Sequence, residues 1–187
     1  MSVPPSAQAP DQAMKPSSSR AQQLVAIVYP DNAYPGAAFE ALVAQCRGAG
    51  LSLAGVLQHR IDETPERRCD VVLDDLSTGH RTAIFEDRGA GAAGCRLDEG
   101  ALAGAAARIE RTLENSPDVL VLNKFGKAEC EGGGLLDLIA RAMDRNITVV
   151  IGVPKSNLGA WRGFAGDLAV ELSEDASQIA RWVASLR

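Results

Sequence analysis

Residues 118–134 read Asp-Val-Leu-Val-Leu-Asn-Lys-Phe-Gly-Lys-Ala-Glu-Cys-Glu-Gly-Gly-Gly. Val119 to Leu122 is a short apolar run rich in β-branched residues, the pattern of a parallel strand buried on both faces. At its C-terminal end stand Asn123, Lys124 and Lys127. Gly132, Gly133 and Gly134 follow, and an apolar helical pattern begins at Leu135. A strand that opens into lysines and a glycine-rich helix entrance is where open α/β sheets bind anions. A nucleotide hydrolase carries acids at such a strand end to hold magnesium and position water. This chain has an amide and a lysine there.

Other apolar runs repeat the theme on either side. Leu24 to Tyr29, Leu51 to Leu57 and Ile147 to Val153 read as strands. Between them Phe39, Leu42, Val43 and Cys46 recur at helical spacing, with Gly48 and Gly50 as the stop signal. Asp98 is placed to cap a helix whose stripe is Leu102, Ala106, Ile109 and Leu113. A further stripe runs through Leu135, Leu138, Ile139, Ala142 and Met143. A short helix is expected over residues 157–164 and a last strand over Leu168 to Leu172, with Ser173 capping a C-terminal helix. Cys69 to Leu76 and His80 to Phe85 read as two strands joined at Ser77-Thr78-Gly79, and residues 61–68 and 86–97 as loops. Strands alternating with helices predict a three-layer α/β fold, a mostly parallel sheet with helices on both faces. The hairpin is an insertion or an antiparallel edge.

The chain has 187 residues and a formal charge of −5. One α/β domain over residues 23–187 is expected. Residues 1–22, with four of the nine prolines and many serines and alanines, are expected to be a disordered tail. The negative charge gives nucleic acid no electrostatic foothold, and two tryptophans, two tyrosines and four phenylalanines make a poor base-stacking surface. No apolar run is long enough to span a membrane and the N-terminus lacks an apolar signal core. Cys46, Cys69, Cys95 and Cys130 form no CxxC pair, so a reducing, cytoplasmic setting without a metal site is expected. Homo-oligomerisation is left undetermined, and so is any cofactor.

The first strand-loop-helix has the position of a phosphate loop without its chemistry. Such a loop needs GxxxxGK followed by Ser or Thr. With Gly36 as the second glycine, Asp31 takes the place of the first, Ala37 of the lysine and Ala38 of the hydroxyl. The expected ligand is therefore a small anion, either a molybdate-like oxyanion or a nucleotide phosphate, held without metal or hydrolysis. Lys124 and Lys127 would supply charge beside Asn123, and Gly132 to Gly134 would supply backbone donors. Asn32, Gly36 and Arg96 would form the opposing wall, with Arg60 at the end of the second strand as a further cation. His59, Lys155, Asn157 and Trp161 also follow strand ends, with Trp161 read as packing. No Ser-His-Asp set or carboxylate pair is evident.

Gly55-Val-Leu-Gln-His-Arg60, Cys69-Asp70, Gly94-Cys-Arg-Leu-Asp98, Leu122-Asn-Lys-Phe-Gly-Lys-Ala-Glu129 and Ile151-Gly-Val-Pro154 with Trp161 together resemble an uncharacterised bacterial family. That family is a domain of unknown function often encoded beside molybdate-transport genes, which implies a role in handling molybdenum. More remotely, the layout resembles small P-loop nucleoside-triphosphatases, which carry Asp-Glu-Ile-Gly-Lys-Met-Glu at the corresponding strand end. Asn123 and Lys124 replace the two leading acids, while Gly126, Lys127 and Glu129 match. The resemblance implies a degenerate P-loop fold. Two rival functions follow: a divergent triphosphatase recruiting Glu129 or Glu131, and a structural or regulatory partner-binding domain.

Overall fold

The structure, a computed structural model, describes residues 23–60, 71–86 and 96–187. Five strands run parallel: β1 (Leu24–Tyr29), β2 (Leu53–Arg60), β7 (Val119–Leu122), β8 (Thr148–Pro154) and β9 (Ala169–Leu172). Two more, β3 (Val71–Asp75) and β4 (Arg81–Ala83), extend the sheet antiparallel, giving the order β4-β3-β2-β7-β8-β1-β9. The hairpin is thus an antiparallel edge. The two-residue strands β5 (Phe85–Glu86) and β6 (Arg96–Leu97) pair separately.

Alternation along the strands sends side chains to two cores, one on each sheet face. Val25, Ile27, Val119, Val121 and Val150 pack under α1 (Gly36–Gly48) and the C-terminal helix α6 (Ala176–Ala184). Ala26, Leu120, Leu122, Val149 and Ile151 pack under α2 (Glu99–Leu113), α4 (Leu136–Asp144) and α5 (Leu158–Ala165). The short α3 (Lys127–Cys130) precedes α4. The runs in β1, β7 and β8 read as continuous apolar segments because both faces are covered.

Gly55 is where β2 changes partner. Its φ is +107°, and a Cβ there would fall 1.8 Å from the Val121 carbonyl oxygen. Up to Gly55 the strand pairs with β7, and from Val56 it pairs with β3. This divergence carries the antiparallel edge away from β7 and leaves room beyond the end of that strand.

Several boundaries differ from the sequence reading. Residues 80–85 split into β4 and β5 around Ile84, and Arg96–Leu97, taken as loop, form β6. The last helix is capped by the Asp175 carboxylate, which accepts from the Ser177 N–H at 2.7 Å. Ser173 instead hydrogen-bonds the Gln178 side chain. Asp98 does cap α2, accepting from the Ala101 N–H at 2.8 Å. The expected tail, the loop 61–68, Cys69 and Cys95 lie outside the described residues. No described helix is long and apolar enough to cross a membrane.

Candidate functional site

Phe125 anchors the segment after β7. Its ring is fully buried and meets Trp161 edge-on at 5.5 Å. Its N–H donates to the Gly152 carbonyl at 2.8 Å and its carbonyl accepts from Asn157 Nδ2 at 2.8 Å. With Phe125 turned in, the preceding Lys124 is exposed. Trp161 packs in the core, so the packing role expected of it holds.

Asn123 joins three strand ends. Its Oδ1 accepts from the Tyr34 hydroxyl at 2.5 Å, and its Nδ2 donates to Gln58 Oε1 at 2.9 Å. The loops after β1 and β7 therefore meet at one sheet edge. Tyr34 also stacks on Phe39 of α1, with centroids 5.9 Å apart and planes 21° from parallel. Burial raises the Tyr34 pKa, so its hydroxyl stays a donor at ordinary pH. Burial, with Asp31 nearby, pushes Tyr29 up to about 12. The crevice between the β1 loop and β7, where a phosphate loop faces its metal-binding strand, is thus bridged by side chains.

At the same edge, the Asp31 carboxylate accepts from the Ser156 N–H at 2.9 Å. That bond, the Ser156 hydroxyl and the charges of Lys155 and Lys124 hold its pKa below the usual carboxylate range. Lys124 and Lys155 follow the ends of β7 and β8.

The glycine run is organised around a buried acid. Glu129 accepts from the Gly126 N–H at 2.7 Å through one carboxylate oxygen and from the Leu135 N–H at 2.9 Å through the other. Gly134 has φ +61°, and a Cβ there would lie 2.1 Å from the Glu129 carboxylate. The Gly132 N–H donates to the Glu129 carbonyl at 3.2 Å and the Gly133 N–H to the Ala128 carbonyl at 2.9 Å. The expectation that all three glycines offer donors is corrected: two of them close the α3 turn. The Gly134 N–H makes no hydrogen bond to a described residue. Glu129 is committed to the backbone, and exposed Glu131 pairs with Lys127 at 3.6 Å.

Beside this clamp, under α2, lies a cavity of about 460 Å³. Asn123, Lys124 and Gly134 are among its lining residues, and its surface is mostly apolar. It sits on the sheet face opposite α1. Asn32 and Gly36 belong to the α1 side and do not line it; Lys127, Gly132, Gly133 and Arg96 do not line it either. Arg96 is exposed on β6. Arg60 ends β2 opposite Val71, and its side chain lies outside the description. His59 is paired with Asp74 at 3.3 Å. Sequence reasoning missed the roles of Glu129 and Gln58. The Gly126-x-x-Glu129 spacing, that of a capping residue and its returning acid, was the available signal for Glu129. No group of three or more His, Cys, Asp or Glu side chains suited to a metal occurs among the described residues.

The chain belongs to the DUF2478 family. That family, described as protein of unknown function, matches residues 24–182. The chain is 32% identical over 134 residues to the molybdenum import ATP-binding protein ModC 2 of Bradyrhizobium diazoefficiens. The match takes in 72% of this DUF2478 chain but only 15% of that protein. In three dimensions the chain is similar to THEP1 from the hyperthermophile Aquifex aeolicus, with a TM-score of 0.60 and 13% identity. That alignment covers 89% of this chain and 97% of THEP1. It establishes a P-loop NTPase-like α/β fold.

Proposed function

We propose that this DUF2478 chain binds a small anionic ligand, an oxyanion or a phosphate group, without hydrolysing it. The observation that carries the reading is a cavity whose lining includes both Lys124 and Gly134. Both are donors without a hydrogen-bond partner among the described residues. The nearby acceptors are already engaged: Glu129 by two N–H groups, Asn123 Oδ1 by Tyr34. An unspent set made only of donors suits an anion. Hydrolysis is disfavoured because Asn123 stands where an acid would hold magnesium, and Ala37 and Ala38 where the phosphate-loop lysine and hydroxyl would stand. An accessory role in molybdenum handling is part of the proposal, supported by the likeness to ModC 2.

Titration calorimetry with molybdate, inorganic phosphate and ATP, each with and without magnesium, tests it. Heat of binding without phosphate release is the expected result. Magnesium-dependent release of phosphate from ATP, lost in Glu129→Gln, would instead make the chain a divergent triphosphatase. A second reading, a regulatory partner-binding module, is favoured by the small share of ModC 2 that the chain matches. It predicts no thermal shift with any of the three ligands.

A further inference from the structure

The cavity is larger than an inorganic oxyanion needs. Its volume of about 460 Å³ is in the range of organic-ligand pockets, roughly 300–1,000 Å³. Val56, Leu73, Ile84, Ile109, Leu122 and Leu135 supply its walls. They come from six separate segments: β2, β3, the segment after β4, α2, β7 and the start of α4. Water in such surroundings finds few partners, and an apolar group that displaces it gains free energy. Leu102, a large apolar side chain that is 40% exposed, stands at its lip. The charged groups facing it are Lys124, Glu129 and Glu99. Glu129 is held by two backbone N–H groups, and Glu99 is exposed in the first turn of α2. Lys124 is the cation of the three.

We infer that the ligand is an organic anion. Its acidic head, a phosphate or carboxylate, is held by Lys124 and the Gly134 N–H, and its apolar body fills the space beneath α2. This rests on the anion reading above and adds the ligand's class. It also separates the site from a nucleotide cradle. A triphosphate would follow the loop into α1 on the other sheet face, where Tyr34 stacks on Phe39 and bonds Asn123.

Calorimetry with inorganic phosphate, n-butyl phosphate and n-octyl phosphate, all below micelle-forming concentration, tests the inference. Affinity should climb along the series by up to about fourfold per buried methylene. Ala106→Trp, which fills the cavity from α2, should abolish that climb and leave inorganic phosphate binding unchanged. Leu102→Glu, at an exposed position, should reduce the climb without touching the fold and serves if the tryptophan variant fails to fold. Lys124→Ala should weaken all three ligands by a similar factor. A flat series with Lys124-dependent binding of inorganic phosphate would overturn the organic-body inference and leave the anion reading intact. Binding that climbs but ignores Lys124, or no binding by any of the three, would overturn both.

Discussion

In the proposed site Lys124 and Gly134 are the two donors, and their replacement is expected to fail in different ways. Replacing Lys124 by alanine removes a charge-assisted hydrogen bond to the ligand, worth about 1.5–3 kcal/mol, or roughly tenfold to a hundredfold in affinity. The fold should be unaffected, because Lys124 is exposed. Lys124→Arg should restore charge but only part of the affinity, since a planar guanidinium presents its donors differently. Calorimetry with circular dichroism as the folding control checks both; wild-type affinity in a folded alanine variant would remove Lys124 from the site. Gly134→Ala should instead destabilise the fold. It puts a Cβ 2.1 Å from the Glu129 carboxylate at a φ of +61°. Strain and displacement of a buried acid each fall in the range of about 1–3 kcal/mol. Gly132→Ala is the control: φ is +87° there, but nothing lies within 4 Å of the added Cβ, so only the backbone term applies. Urea unfolding of the pair should show the Gly134 variant clearly weaker.

Elements meet through two polar devices whose loss is measurable. Tyr34→Phe keeps the ring against Phe39 but leaves Asn123 Oδ1 without its donor. The expected cost is about 1 kcal/mol of stability. Alkyl phosphate affinity should fall less than in Lys124→Ala, because Tyr34 reaches the cavity only through Asn123; a loss as large would place the ligand in the β1–β7 crevice instead. The turn between β3 and β4 is tied by Asp75. Burial would raise its pKa, but the hydroxyl and N–H groups of Ser77 and Thr78 outweigh that and hold it below the usual carboxylate range. A depressed folded-state pKa contributes stability above the unfolded value, near 4, that is lost as pH falls through the folded value. Thermal melts between pH 5 and pH 2, with buffer pH as the only variable, should therefore show a fall in Tm that is shallower in Asp75→Asn.

For the molecule as a whole, the proposed anion site predicts binding that does not depend on metal. With amide and lysine at the end of β7 and Glu129 engaged by the backbone, affinity for an alkyl phosphate should be the same with and without a chelator. Calorimetry in EDTA checks this directly, and a large loss would show that acids of this chain hold a cation after all. Ligand that binds only the folded chain should also raise Tm in step with concentration, by RT ln(1 + [L]/Kd) in free energy.

By itself the sequence determined the layered architecture. The runs at β1, β7 and β8 are so apolar and β-branched that only strands covered on both faces suit them. It also drew attention to the end of β7, where lysines and glycines follow the strand. Elements without a period escaped it: α3 has four residues and β6 two, too short for a pattern to register. Only the tertiary structure decided which glycine keeps a free N–H, because that depends on where the Glu129 carboxylate comes to rest. Tertiary contacts likewise placed the cavity of the proposed site on the sheet face opposite α1. Tyr34 and Asn123 are 89 residues apart, and the cavity walls are drawn from Val56 through Leu135. Shape of that kind is a property of packing between distant segments, and no local spacing encodes it.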